Sequence, residues 1–248
     1  MGCDIHLYAE KRDGDKWTTL DRWVKEYDDV LSVPYKESFY HNRNYNLFSI
    51  LADVRNGRGF AGCKTGEGFV PIAPPRGIPA DACEEYKNEV ALMDGDGHSH
   101  SWFTVAELMA YDWTQETTLS GIVNLRGLAR WKLNGQPDEW SGMITGHGIE
   151  IFPANVKTIE ACFAEGATWW TLFHSPDDVF GSVKSPDEKW ADTLRNVQAR
   201  YGCERPHFNV SWPRKYYQVA SEFLGETLPR LWRCGAPEDV RIVFFFDN

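Results

Sequence analysis

The sequence predicts an α+β fold in which a mainly antiparallel central sheet, containing the first and last strands of the chain, is packed by several helices. Three observations lead to this prediction. Residues 3–10 alternate between apolar and polar side chains, which is the period of a strand with one buried face. Residues 240–246 form an apolar run short enough to be a buried strand. Between these two strands, several segments repeat apolar residues at helical spacing.

The first third of the chain combines a hairpin, a helix and a long loop. Asp13-Gly14 is a strong hairpin signal, so the first strand is expected to turn back into a second strand at about 16–24. Apolar residues at helical spacing predict a helix over 44–56, with Gly57 as its carboxyl-terminal cap. Residues 57–79 are rich in glycine and proline and predict a long irregular loop.

The middle of the chain mixes short elements. We expect a short helix at 81–90, a polar loop at 94–101, and a helix to about 112 that opens with a capping box at Thr104 and Glu107. Residues 120–152 are predicted to be rich in strands, with turns at 134–135 and 146–148. Residues 156–163 and 167–173 are expected to pair as a hairpin.

The last part of the chain predicts two helices and a strand. Ser185 and Pro186 are typical of a helix start, and Gly202 is expected to end this helix. A second helix is expected at 213–224, before the strand at 240–246. Because the chain shows no internal repeat and no linker, the simplest organisation is a single α+β domain spanning 1–248.

Composition restricts the class of partner. The 248-residue chain has a formal net charge of −10 and lacks the dense basic surface that a long nucleic acid requires. A small nucleotide needs only a few local cations, and the 14% of aromatic residues can supply rings that stack on a base. No apolar run reaches the length of a membrane span, so no membrane partner is expected. A homo-oligomer is compatible with the sequence.

The cysteines indicate a reducing compartment. Six are present without a C-x-x-C pair, which disfavours a structural zinc knuckle. No apolar segment typical of a signal peptide precedes them, so the thiols are expected to be reduced in a cytoplasm.

The polar face of the first strand is the strongest candidate for a functional site. Asp4 and His6 form an Asp-x-His pair, which suits a divalent metal or a carboxylate that orients an imidazole for acid–base chemistry. His98 and His100 form a second closely spaced pair. The sequence therefore predicts that these four residues are catalytic and hold Zn²⁺ or Mn²⁺, which would polarise a phosphoryl oxygen and lower the pKa of a bound water.

The same residues also have a simpler interpretation. Residues 94–101 would then be a solvated turn, and His6 would be a half-buried histidine whose hydrogen bonds are satisfied by its neighbours. Under this interpretation there is no site on the strand, and the sequence leaves both interpretations open.

Several residues are candidates for binding a phosphate. Residues 57–62 match G-x-G-x-x-G, but they follow a predicted helix instead of a strand, so a dinucleotide fold is not predicted. Glycines let backbone N–H groups approach a phosphate, and Arg58 and Lys64 lie in this segment. Arg43 and Arg55 flank the first helix and could each clamp an anion. These four cations and Tyr8 are the predicted substrate-binding residues; a flexible surface loop, and for Arg55 a helix cap, are the alternatives.

Four blocks of sequence resemble a family of uncharacterised bacteriophage and prophage proteins. They are the opening Gly2-Cys3-Asp4-Ile5-His6, the segments 43–48 and 54–56, the segment 98–102 with its following helix, and the final 241–248. The blocks span nearly the whole chain. The resemblance supplies no activity or site residues. It implies work in a host bacterial cytoplasm, where accessory phage proteins often interfere with defence signals made of nucleotides.

The first hypothesis from the sequence is a phosphodiesterase-type hydrolase that acts on a small nucleotide, such as a host-defence signal. The first alternative is a non-catalytic protein that sequesters such a nucleotide, with aromatic rings stacked on the base and no metal. The second alternative is a virion or host-protein interaction module without a small-molecule site.

Overall fold

The structure is a computed structural model that describes residues 2–25, 30–57, 68–142, 150–152, 155–174, 178–179, 182–183 and 188–247. The chain divides into two compact units. The first unit, called here the terminal unit, is built from residues up to 60, 68–117 and from 214 onward. The second, called the inserted unit, is built mainly from residues 118–213. The predicted single domain over 1–248 stays a prediction.

The terminal unit contains both ends of the chain. Its elements are β1 (Asp4–Asp13), β2 (Lys16–Thr19), β3 (Val24–Lys25), β4 (Leu31–Ser32), α1 (Tyr45–Ala52), α2 (Glu84–Leu92), β5 (His98–Thr104) and α3 (Val105–Ala110). After the inserted unit it continues with the elements that lead to the last strand. The inserted unit holds β6 (Glu116–Val123), α4 (Leu125–Asn134), β7 (Glu150–Phe152), α5 (Val156–Glu160), α6 (Trp169–Phe173), β8 (Asp178–Val179), β9 (Ser182–Val183), α7 (Glu188–Tyr201) and β10 (Pro206–Lys215). The final elements are α8 (Tyr216–Val219), a π-helical turn (Phe223–Thr227), α9 (Leu228–Trp232) and β11 (Val240–Asp247).

The terminal unit is organised around a four-stranded antiparallel sheet with the order β2-β1-β11-β5. The last strand is therefore central, and its register with the first strand runs from Asp4 opposite Asp247 to Lys11 opposite Val240. This arrangement explains why β11 is apolar from Val240 to Phe246 except at Arg241, since a central strand covered on both faces has no solvent-facing side. The predicted fold class, with a mainly antiparallel central sheet that contains the first and last strands, is confirmed.

Each face of this sheet packs against its own core. The first face carries Ile5 and Leu7 of β1 and Phe244 and Phe246 of β11, and α1 contributes Phe48 to the same core. The second face carries Tyr8, Val243 and Phe245, which pack against Ala82, Cys83 and Tyr86 at α2. Alternate side chains of one strand thus enter two different cores, as the period-two pattern of the sequence requires.

The inserted unit contains a three-stranded sheet with the order β6-β10-β7, in which β7 runs parallel to β10. Strand β10 buries alternate residues, among them Phe208, Val210 and Trp212. Within the parts of the chain that the structure describes, no helix combines the length and apolar character needed to span a bilayer.

One prediction for the inserted unit is wrong and another is only partly right, for a shared reason. The hairpin expected over 156–173 is instead the pair of short helices α5 and α6. The segment expected to be rich in strands at 120–152 contains the end of β6 and the whole of β7, but also α4. Side chains cap all three helices: Asn124 accepts from Gly127, Asn155 from Thr158, and Thr168 from Thr171. Such caps satisfy the first backbone N–H groups of a helix, so they overrode the strand propensity of the residues that follow. The predicted turn at 134–135 is the left-handed carboxyl-terminal cap of α4 at Gly135.

Other element boundaries also differ from the sequence predictions. The second strand ends at Thr19 instead of residue 24, and the first helix ends at Ala52, where Asp53 adopts the left-handed conformation. The helix expected at 213–224 begins later, because Pro213 still belongs to β10. The capping box at Thr104 and the end of α7 at Gly202 are confirmed. The expected helix start at 185–186 lies outside the described residues.

Candidate functional site

The polar side chains of β1 form part of the second face of the sheet, which packs against α2. Residues directly opposite each other in an antiparallel pair share a face of the sheet. The pairs on this face are Asp4 with Asp247, His6 with Phe245, Tyr8 with Val243 and Glu10 with Arg241. The predicted separation of apolar and ionisable side chains on the first strand is therefore confirmed.

His6 lies between two carboxylates that belong to different elements. Its Nε2 is 3.3 Å from Oδ2 of Asp247 on β11, and its Nδ1 is 3.9 Å from Oε1 of Glu89 on α2. The other oxygen of Asp247 accepts a hydrogen bond from the backbone N–H of Asp4 at 3.2 Å, which fixes the carboxylate. The His6 side chain is 22% exposed, so the imidazole is held by its neighbours and still reaches solvent. Its ring also stacks on Phe245, with ring centres 4.6 Å apart.

Tyr8 holds the second carboxylate in place. Its hydroxyl donates to Oε1 of Glu89 at 3.1 Å, and its ring stacks on Trp23 with centres 4.8 Å apart. Burial raises the pKa of Tyr8, and the charge of Glu89 acts in the same direction, so the hydroxyl keeps its proton and remains a donor. The residue is buried. The predicted substrate-binding residue Tyr8 thus lies beside the candidate site and positions Glu89.

Asp4 and Arg43 form a two-point ion pair at the start of β1. The Arg43 Nε donates to Oδ1 of Asp4 at 2.7 Å, and Nη2 donates to Oδ2 at 2.6 Å. This hydrogen bonding lowers the pKa of Asp4. A Cβ on Gly2 would come within 2.5 Å of Nη1 of Arg43, so the glycine makes room for the guanidinium. Both carboxylate oxygens are already engaged, while the pair remains about half exposed.

The two later histidines contact different rings of β11. His100 lies 5.2 Å from Phe245, on the same face as His6, whereas His98 lies 6.0 Å from Phe246, which belongs to the opposite core. A shift of the β5–β11 register at this point, with Ser99 at a φ of 52°, separates the two histidines. Burial lowers the pKa of His100, an effect partly offset by a hydrogen bond with the Gly97 backbone. The segment 98–100 is thus part of a strand and not of the predicted polar loop.

The four side chains predicted to share a metal ion do not form one ligand group. The Asp4 carboxylate is engaged by Arg43, and His98 contacts a different ring from the one that His6 and His100 share. Among the residues that the structure describes, no group of three or more histidine, cysteine, aspartate or glutamate side chains is placed to hold a metal ion. The metal ion stays a prediction.

The remaining predicted phosphate contacts fall into two groups. Arg55, with a φ of 59°, lies next to the Cys3 thiol at the same end of β1 as Arg43. Burial raises the pKa of this thiol, and a hydrogen bond with Arg55 opposes the shift. Arg58 and Lys64 lie outside the described residues, so their predicted role stays a prediction.

A buried ion pair lies at the other end of the polar face of β1. Arg241 donates from Nε to Oε2 of Glu10 at 2.6 Å, and neither side chain is more than 2% exposed. The second Glu10 oxygen accepts from the backbone N–H of Cys83 at 2.7 Å, which ties the start of α2 to β1. The Arg241 guanidinium also lies over Trp17, 4.0 Å from the ring centre, and its Nη1 reaches Asp81.

Sequence reasoning missed the role of Glu89 and the pairing of Glu10 with Arg241. Glu89 falls within the predicted helix at 81–90, but nothing in the local pattern shows which sheet residue this helix faces. The position of Glu10 on the polar face was readable from the alternation, and its partner follows once the first and last strands are paired in register. The same register brings Asp247, at the end of the last strand, next to His6.

Comparison of the chain with protein-family models, with curated proteins and with solved structures found no match. The resemblance to bacteriophage and prophage proteins therefore stays a prediction from the sequence motifs.

Proposed function

We propose that the protein is a phosphodiesterase-type hydrolase for a small nucleotide, in which His6 transfers a proton. The observation that carries this proposal is the placement of one partly exposed imidazole between the carboxylates of Asp247 and Glu89. A histidine oriented by a carboxylate is the commonest protein group for general acid–base catalysis near neutral pH.

The proposed mechanism gives each nitrogen of His6 a role. It uses the neutral tautomer in which Nε2 carries the proton and donates to Asp247, so that Nδ1 has the lone pair and accepts a proton. This proton comes from the water that attacks the phosphorus atom. As the new P–O bond forms, the P–O bond to the leaving nucleotide oxygen breaks, and the imidazolium of His6 then returns the proton to that oxygen. The imidazolium that forms is stabilised by Asp247 on one side and by Glu89 on the other. Tyr8 acts as a positioning residue, because its hydroxyl holds Glu89 in place.

Cations at the amino-terminal end of β1 support a phosphate-bearing substrate. Arg43 and Arg55 both approach this end, where Asp4 and Cys3 lie. The pair with Asp4 uses Nε and Nη2 of Arg43, and a substrate phosphate would share or replace this carboxylate. The net charge of −10 favours a small nucleotide over a long nucleic acid. A divalent ion, if present, would polarise the phosphoryl oxygen.

The test is a panel of linear and cyclic mono- and dinucleotides, incubated with the protein with and without EDTA and analysed by chromatography. The wild-type protein should convert at least one nucleotide, and His6→Ala should lower the rate by about 100-fold or more, since general acid–base catalysis contributes that much. His207→Ala, in the inserted unit, is the matched control and should retain the wild-type rate. A wild-type rate in the His6→Ala protein would remove His6 from the mechanism.

A sequestering protein is the second candidate. It is favoured by the stacked rings of Tyr8 and Trp23 on the same face of the sheet, since a sequestering protein needs aromatic surface and a cation but no proton-transfer group. In the same panel, this function predicts that a bound nucleotide is recovered intact after denaturation. The absence of both turnover and binding would point to an interaction module.

A further inference from the structure

His6 and Glu89 face each other across a gap that is too wide for a direct hydrogen bond. The distance from Nδ1 of His6 to Oε1 of Glu89 is 3.9 Å, which exceeds the range of hydrogen bonds between nitrogen and oxygen. The other ring nitrogen, Nε2, lies 3.3 Å from Oδ2 of Asp247. The two edges of the imidazole are therefore different, because one is engaged by Asp247 and the other faces Glu89 across the gap.

Both atoms that border this gap are hydrogen-bond acceptors in the tautomer that the proposed mechanism uses. In that tautomer Nδ1 of His6 carries a lone pair, and the ionised carboxylate of Glu89 can only accept. Oε1 of Glu89 already accepts from the hydroxyl of Tyr8 at 3.1 Å, which fixes its position and leaves a lone pair for a second donor. Two facing acceptors are joined only by a molecule that donates to both.

A water molecule fits this requirement. It has two donor hydrogens and can donate one to each acceptor. Two acceptors that are bridged in this way lie roughly 4 Å apart, because each distance from the water oxygen to an acceptor is about 2.8 Å. The separation of 3.9 Å between His6 and Glu89 matches this spacing. Solvent can reach this position, because both side chains are partly exposed.

We propose that the attacking water is held by Nδ1 of His6 and Oε1 of Glu89 together, so that Glu89 is a second catalytic residue, which orients the nucleophile. This inference rests on the proposed function, because it concerns the same site and the same tautomer of His6. The hydrogen donated to Nδ1 is the proton that His6 accepts, and the other hydrogen stays on the oxygen that joins the phosphorus. With both hydrogens engaged, a lone pair of the water oxygen points away from the two acceptors and is available to the phosphorus.

Methanol distinguishes this role of Glu89 from a purely structural one, because its single O–H hydrogen cannot be donated to both acceptors. In methanolysis the methanol oxygen forms the new P–O bond, its proton goes to Nδ1 of His6, and the P–O bond to the leaving oxygen breaks. The product is a methyl ester in place of the hydrolysis product. The ratio of the two products is measured within one sample, so it does not depend on the fraction of the protein that is folded.

The test is the reaction of the full chain with bis(p-nitrophenyl) phosphate in aqueous methanol, with the products quantified by mass spectrometry. The wild-type protein should form the methyl ester about tenfold less often than the mole ratio of methanol to water predicts, since one hydrogen bond is lost. Glu89→Ala removes the second acceptor and should abolish most of this preference for water, so the methyl ester share should rise by about tenfold. The same measurement is made with any nucleotide of the panel that the protein converts.

Two further variants define the effect. Tyr8→Phe leaves Glu89 without the hydroxyl that holds it, so it should raise the methyl ester share by less than Glu89→Ala does. Glu84→Ala is the matched control on the same helix, where the side chain is 80% exposed, and it should keep the wild-type product ratio.

The outcomes separate this inference from the proposed function. A Glu89→Ala protein that still reacts and keeps the wild-type product ratio would overturn the role of Glu89 while leaving that of His6 in place. A lower rate with an unchanged ratio would also overturn it, because a loss of stability explains that result. A wild-type protein that converts neither the diester nor any nucleotide of the panel would overturn both proposals.

Discussion

At the scale of single residues, the polar face of β1 shows how strongly neighbours change the chemistry of a side chain. Asp4 and His6 are two positions apart and point to the same side of the sheet. Asp4 is neutralised by a two-point ion pair with Arg43, while His6 faces two carboxylates and stays partly exposed. The sequence makes the two residues equal candidates, and only their tertiary partners distinguish them.

The buried carboxyl of Asp21 is expected to make folding stability depend on pH. One of its oxygens accepts from the Ala9 backbone N–H at 2.6 Å, and the other is buried without a hydrogen-bond partner among the described residues. Burial raises the pKa of Asp21 from 3.8 to about 6, so the folded chain binds a proton that the unfolded chain releases. The contribution of Asp21 to the free energy of unfolding is therefore fully present below about pH 4 and is lost as the pH rises through about 6. The loss is at most about 3 kcal/mol.

Urea denaturation of wild-type and Asp21→Asn proteins between pH 4 and 7 measures this effect. Since asparagine keeps the acceptor for Ala9 and cannot ionise, the Asp21→Asn protein should lack the decline between pH 4 and 6. The exposed Asp96→Asn serves as the control and should show the wild-type dependence. If the free energy of unfolding depended on pH in the same way in the wild-type and Asp21→Asn proteins, the pKa of Asp21 would not be raised in the folded protein.

At the scale of elements, α1 is fixed by its first residue. The Asn44 side chain accepts from the backbone N–H groups of Asn46 and Leu47, and its amide donates to the carbonyl of Val219. One side chain therefore both caps the helix and joins it to α8. The adjacent Arg43 reaches Asp4, so the cap also helps to position the ion pair beside the candidate site.

Asn44→Ala should destabilise the protein by about 1–2 kcal/mol, because the cap and the link to Val219 are both lost. Asn44→Asp keeps the cap oxygens but loses the amide donor, so it should cost less than the alanine substitution. Chemical denaturation of both variants measures the difference. An equal loss of stability in the two variants would show that capping contributes little at this position.

Elements with strong local signals were predictable, and elements defined by tertiary contacts were not. The alternation of β1, the apolar run of β11 and the capping box of α3 each reflect local physics, and all three are observed. Helices α5 and α6 are five residues each, too short for a periodic stripe, and β-branched and aromatic residues near them suggested strands. The irregularity of β5 at Ser99 could not be read from sequence, because it depends on the register with β11.

At the scale of the whole terminal unit, a buried ion pair joins the two ends of the chain and α2. Glu10 accepts from Arg241 of the last strand and from the Cys83 backbone at the start of α2. Since α2 also carries Glu89, this network helps to set the distance between Glu89 and His6. A buried pair is costly to break because the remaining charge is left without compensation.

Glu10→Gln should therefore destabilise the unit by about 3–5 kcal/mol, as expected when one partner of a buried ion pair is neutralised. Arg12→Gln, which removes an exposed pair with Asp239, is the matched control and should cost less than about 1 kcal/mol. The free energy of unfolding from denaturant titration distinguishes the two. A cost for Glu10→Gln that is no larger than the control would mean that Arg241 is compensated by Asp81 and by the ring of Trp17.

The most direct test of the account is chemical rescue of the His6→Ala protein by free imidazole, measured as the initial rate of nucleotide hydrolysis. If His6 transfers a proton, imidazole added to the His6→Ala protein should restore part of the lost rate in proportion to its concentration. The same addition should leave the rate of His207→Ala unchanged. A His6→Ala protein that hydrolyses the nucleotide at the wild-type rate, or one whose lost rate imidazole does not restore, would contradict the assignment of His6 as the proton-transfer group.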